Sequence, residues 1–110
     1  MQIEITQEED RDIVHLNGSR LDAYCALKVK KTALRLVTLA ERDVVIDMGK
    51  VDFIDSSGLG VLVSVAKMVA DKHAVYFINL QPLVQRVFKL THMDRVFNIL
   101  EDDTVKGTAA

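Results

Sequence analysis

The chain has 110 residues, 49% of them hydrophobic, with 14 basic and 16 acidic side chains and a formal net charge of −2. That length supports one packed core rather than two ordinary domains, and near-balanced charge with no block of one sign argues against binding to nucleic acid or anionic lipid. The longest apolar runs stop short of the roughly 20 residues that span a bilayer, and an N-terminus holding Glu4, Glu8, Glu9 and Asp10 is unlike a signal peptide, so a cytoplasmic protein without membrane insertion is expected.

Ile3 and Ile5 alternate with polar neighbours, Glu8-Glu9-Asp10 turns the chain, and Ile13 to Leu16 forms a second run ending at Asn17-Gly18. This pattern predicts an N-terminal hairpin. From Asp22, a plausible N-cap, to about Ala40 the period becomes helical, with Ala23, Ala26, Leu27, Ala33, Leu34 and Val37 on the inner face and Lys28, Lys31 and Arg35 toward water. Cys25 is the lone cysteine, which excludes an internal disulfide and a zinc or thioredoxin-type motif.

Val44 to Met48 is a β-branched run of the kind buried on both faces in a parallel strand, and Val75 to Ile78 is a second. Between them a helix is expected over about Ser57–Val69, with Leu59, Leu62, Val63, Ala66 and Val69 inward, so strand, helix and strand make a parallel crossover. Pro82 suits the first turn of a third helix carrying Leu83, Val84, Val87 and Phe88 on its apolar face. Thr91 to Asp94 turns the chain, Val96 to Leu100 reads as a short edge strand, and Glu101-Asp102-Asp103 as the start of a last short helix. The expected fold is α/β, a mixed sheet of four to five strands with about four flanking helices. It forms one domain over residues 1–105, with a frayed tail over 106–110.

Asp55-Ser56-Ser57-Gly58-Leu59-Gly60, at the mouth of the central helix, carries the most information. One reading is plain capping, since Asp and Ser satisfy unpaired N–H groups of a first turn. Two glycines in that turn each cost roughly 1 kcal/mol relative to alanine, which suggests that something approaches this backbone closely. The other reading is a phosphorylation site, because a helix N-terminus tolerates added negative charge. Gly60, Val61, Ser64, Val65 and Met68 lie off the expected inner stripe, where they suit either partner contact or cover by a neighbouring helix.

Enzyme readings are weaker. Neither Ser56 nor Ser57 has the glycine two residues earlier that a nucleophile elbow requires, and His15, His73 and His92 have no partner motif. Gly58-Leu59-Gly60 lacks the third glycine of a dinucleotide fingerprint, and no Gly-Lys-Ser/Thr sequence forms a phosphate loop. Asp47 as a receiver-type phosphoacceptor lacks an acidic pair after an earlier strand, and Asp47, Asp52 and Asp55 as a cation site is the minor reading. The histidines are too far apart in sequence for a ligand set, so neither metal nor cofactor is expected.

Val45-Ile46-Asp47, the stretch Val51 to Gly60, Gly18-Ser19-Arg20-Leu21-Asp22-Ala23 and Val87 to Phe97 together resemble the STAS domain of bacterial anti-sigma factor antagonists, and the likeness spans nearly the whole chain. The resemblance implies a non-enzymatic partner switch. In it Ser57 is phosphorylated by a serine kinase, often the anti-sigma factor itself, and is dephosphorylated by a PP2C-type phosphatase. It places partner contacts on Ser19, Arg20, Leu21 and Asp22 and at the head of the helix, with Asp55, Ser56 and Gly58 beside the serine; Gly60, Val61, Ser64 and Met68 further along are added as partner contacts by the helical pattern. Tyr24, Cys25 and the Lys28, Lys30, Lys31 cluster fall outside the motif positions. Two other outputs stay open: a non-sigma route such as biofilm, secretion or stress signalling, and an accessory domain of a transport system that binds a small ligand.

Overall fold

Alternation at the N-terminus produces the hairpin. In the computed structural model, which describes residues 1–39 and 41–100 and the side chains among them outside 36–39, β1 (Gln2–Gln7) and β2 (Arg11–Asn17) pair antiparallel with Ile3 opposite Leu16 and Ile5 opposite Val14. Arg11 secures the turn: it is buried, and its Nε donates to Glu8 Oε1 at 2.8 Å. The chain continues through β3 (Arg20–Leu21), α1 (Ala23–Leu39), β4 (Asp43–Asp47), β5 (Phe53–Ile54), α2 (Ser56–Ala70), β6 (Val75–Ile78), α3 (Pro82–Leu90) and β7 (Asn98–Leu100). The main sheet runs β1-β2-β4-β6-β7, parallel from β2 onward, while β3 and β5 form a separate two-stranded parallel ladder.

Strand alternation divides the apolar side chains between two faces. Val14, Leu16, Val44, Ile46, Val75 and Phe77 join the core shared with the helices. Ile13, Val45 and Ile78 form a smaller cluster on the opposite face, with Tyr76 and Leu100 against it. β4 is therefore buried on both sides, as its β-branched run predicts.

The inner stripe of α1 differs in phase from the expectation. Ala26, Val29 and Ala33 are buried, whereas Ala23 is exposed and Leu27 is 63% exposed; Val37 lies outside the described side chains. In α2 the buried residues are Gly58, Val61, Leu62, Val65 and Val69, because the helix packs against α1 as well as the sheet and so needs a wider apolar arc. Leu59, Val63 and Ala66 are only partly buried. Pro82 opens α3 as expected, and Val84 and Phe88 face the core, though Leu83 does not.

Among the described residues there are three α-helices and one 3₁₀ turn (Met93–Arg95). The last strand is shorter than Val96–Leu100 because Phe97 turns into the core, where its ring stands 4.6 Å from Phe77 and 5.4 Å from Phe88 between centroids. Ala40, the helix expected at Glu101-Asp102-Asp103 and the tail over 106–110 lie outside the described residues. No described helix is long and apolar enough to cross a membrane.

Asp47 ends β4 and fixes the loop that follows. Its Oδ1 accepts the Gly49 N–H at 2.9 Å and Asn79 Nδ2 at 3.1 Å, and His15 Nδ1 lies 3.0 Å from its Oδ2. Burial pushes this carboxyl up, but the hydrogen bonds from Asn79, Gly49 and His15 outweigh it and hold it below the ordinary range. Its contribution to stability is therefore complete above about pH 4 and is lost as pH falls through the depressed folded value. Asp47→Asn should lower stability at neutral pH by about 1–2 kcal/mol and flatten the acid limb of the unfolding profile, measured by urea denaturation at a series of pH values.

Candidate functional site

The β3–β5 ladder brings two distant segments together. Ser19 carbonyl oxygen accepts the N–H groups of Asp52 and Phe53 at 2.9 and 3.1 Å, and the Leu21 carbonyl accepts that of Asp55 at 3.3 Å. These bonds lay the loop before α1 beside the loop before α2. Arg20 and Phe53 are register partners, and the Arg20 guanidinium stands 4.0 Å from the Phe53 ring centroid.

Asp55 joins the two helix heads. It sits in extended backbone as the N-cap of α2, and its Oδ1 accepts the Gly58 N–H at 2.9 Å. Its other oxygen, Oδ2, accepts the N–H of Ala23, the first residue of α1, at 3.1 Å. One carboxylate thus serves two positive helix ends. Asp22 adds a local cap, accepting the Tyr24 N–H at 3.1 Å and Arg20 Nε at 3.2 Å. A desolvation effect opposes ionisation of Asp22, and the bonds from Arg20 and from the Tyr24 and Cys25 N–H groups overcome it, leaving the carboxyl below the ordinary range.

With capping supplied by Asp55, the serine hydroxyls are spared that work. Ser56 and Ser57 are exposed in the first turn of α2. Ser19 and Arg20 are exposed beside them in the β3 loop, and Gly60 and Met68 are exposed along the helix. Ser64 is half-buried, and its hydroxyl donates to the Gly60 carbonyl at 3.0 Å.

Three residues expected at a partner surface face inward instead. Leu21 is wholly buried under the ladder, Val61 is buried between the helices and the sheet, and Gly58 is buried against Leu21. Leu21 and Val61 are core residues, and Gly58 contributes shape rather than contact. Val65, which also lay off the expected stripe, is buried as well. The sequence did not reveal the Ala23 N–H or the Phe53 ring as parts of this site, because both meet their partners across more than 30 residues of chain.

Asp47, Asp52 and Asp55 do not gather around a cation. Asp47 and Asp55 spend their oxygens on protein donors, and no group of three metal-ligating side chains occurs among the described residues.

The two glycines have different causes. A Cβ on Gly58 would fall on the Leu21 carbonyl oxygen, a backbone atom held by the ladder, whereas a Cβ on Gly60 would meet nothing within 4 Å. Gly58→Ala should cost about 1–3 kcal/mol through overpacking, and Gly60→Ala should gain roughly 0.5–1 kcal/mol of helix propensity. Thermal or chemical denaturation of the two variants checks the opposite signs.

The STAS domain family model matches residues 2–106. The anti-sigma-B factor antagonist of Listeria monocytogenes is 33% identical over 103 residues, covering 90% of this chain and 88% of that protein, and the protein of the same name from Listeria innocua matches equally. A solved anti-sigma-factor antagonist (STAS) domain protein from Planctomyces limnophilus shares the fold with a TM-score of 0.85 at 23% identity, covering 98% of each chain. The chain belongs to the STAS domain family.

Proposed function

We propose that this protein is an anti-sigma factor antagonist controlled by phosphorylation of Ser57. The unmodified chain binds an anti-sigma factor that is also a serine kinase, phosphate on Ser57 releases it, and a PP2C-type phosphatase resets the switch. The observation that carries the reading is the exposed Ser57 in the first turn of a helix already capped by Asp55. The two Listeria relatives, named as anti-sigma-B factor antagonists, support the same role. The protein acts by binding and performs no catalysis of its own.

A phosphate on Ser57 adds roughly −1.5 to −2 charges, which the positive end of α2 accommodates. Asp55 lies two residues away and opposes that gain, so the net effect on the isolated fold is small. The complex is more sensitive, because docking would have to desolvate or pair a hydrated dianion. Release follows without refolding.

Incubation with lysate of the native host and ATP should add one phosphate, located on Ser57 by mass spectrometry, and Ser57→Ala should abolish it. In titrations with the kinase purified on that activity, Ser57→Ala should bind like the wild type, and Ser57→Asp should bind at least about tenfold more weakly, or about 1.4 kcal/mol. An unmodified Ser57 in lysate with active kinases, or a Ser57→Asp variant of wild-type affinity, overturns the reading.

A further inference from the structure

The outward side of α1 has no partner within the described chain. Tyr24 is 99% exposed and Leu27 63% exposed, and Lys28, Lys31 and Arg35 are also exposed. At 3.6 residues per turn these five positions form one stripe directly opposite the buried Ala26, Val29 and Ala33. The helix contains no acidic residue, and none of Lys28, Lys31 and Arg35 forms an ion pair among the described residues. A positive strip with two exposed apolar side chains at its head therefore sits on a chain whose net charge is −2.

The head of the strip is tied to the start of the helix that bears the serine. Tyr24 follows Ala23, whose N–H is held by the Asp55 carboxylate that also caps the helix bearing Ser57. We infer that the Tyr24-Leu27-Lys28-Lys31-Arg35 stripe is the second half of the partner interface, and that it fits a protein surface in which acidic side chains surround an apolar socket. The inference rests on the Ser57 reading and adds the chemistry of the partner.

Size and charge both support this assignment. From residue 24 to residue 35 the stripe is about 16 Å long, too small by itself for the roughly 800 Å² per partner of a stable interface, so it works together with the exposed start of α2. Tyr24 and Leu27 supply an anchor of the kind that dominates binding energy, and the lysines and arginine supply steering and orientation. A protein fits better than a lipid surface, because the apolar side of α1 is already used in the core and only two apolar side chains remain to insert. The arrangement also sharpens the switch: phosphate on Ser57 would place negative charge against the acidic surface the stripe attracts, so release comes from repulsion as well as desolvation.

The test compares wild type, Lys28→Glu/Lys31→Glu and Tyr24→Ala as substrates of the host serine kinase fraction that labels Ser57, from about 50 to about 300 mM NaCl, with folding checked by thermal melts. The charge reversal should raise KM at least tenfold at low salt while leaving kcat near wild type, and should remove the salt dependence that the wild type shows. Tyr24→Ala should raise KM several-fold and keep that salt dependence. Wild-type KM in both variants overturns the inference and leaves the Ser57 reading standing, whereas no phosphate on wild-type Ser57 overturns both. Co-sedimentation of the wild type with phosphatidylglycerol vesicles, lost on charge reversal, would make the stripe a lipid-binding surface and also overturn the inference.

Discussion

The Asp55 carboxylate, shared between the Gly58 and Ala23 N–H groups, is the interaction on which the site depends. Two helices that begin side by side present two sets of orphan donors and two positive ends to each other. Placing one negative charge between them satisfies a donor on each and offsets their mutual repulsion. The β3–β5 ladder puts Asp55 in position by tying its backbone N–H to Leu21, and the geometry rests on the three backbone bonds from Asp52, Phe53 and Asp55 together with one side chain rather than on a large interface.

That close approach also explains the glycine after the serines. The Leu21 carbonyl that receives Asp55 lies over Gly58, and there is no room for a side chain between β3 and the first turn of α2. The sequence signals a close approach to this backbone, and at Gly58 the approaching group belongs to the same chain. Gly60, with open space around it, has no such internal reason. The two glycines of the motif therefore do not share one structural cause.

How much was legible in advance follows from the length of each element. β4, β6 and the Pro82 start of α3 were readable because a β-branched run and a proline at a first helical turn act locally. β3 and β5 were not, because two residues cannot show a period, and their pairing joins positions more than 30 apart. The phase of α1 differs from the pattern at Leu27, since apolar residues at 27 and 34 suggest one face while Val29, flanked by Lys28 and Lys30, lies on the buried one. Val61 and Val65, off the expected stripe, follow the second of the two readings open to them, cover by a neighbouring helix: a helix packed against both a sheet and another helix buries more than one stripe. Capping by an Asp or Ser at 55–57 is one of the readings the sequence leaves open, but the choice of Asp55 and its second bond to Ala23 depend on tertiary structure.

On the proposed reading, Asp55 and Ser57 divide two tasks that a single residue could not perform. A serine whose hydroxyl held the Gly58 N–H would lose that bond on modification, and the helix end would be disturbed along with the surface. Here the cap is a carboxylate already bonded to both helices, so the hydroxyl of Ser57 is not needed for capping. Its chemistry can change while the backbone beneath it stays fixed. If Ser57 is phosphorylated as proposed, the mark would change what the surface offers to another protein while the Asp55 cap keeps its bonds to both helices.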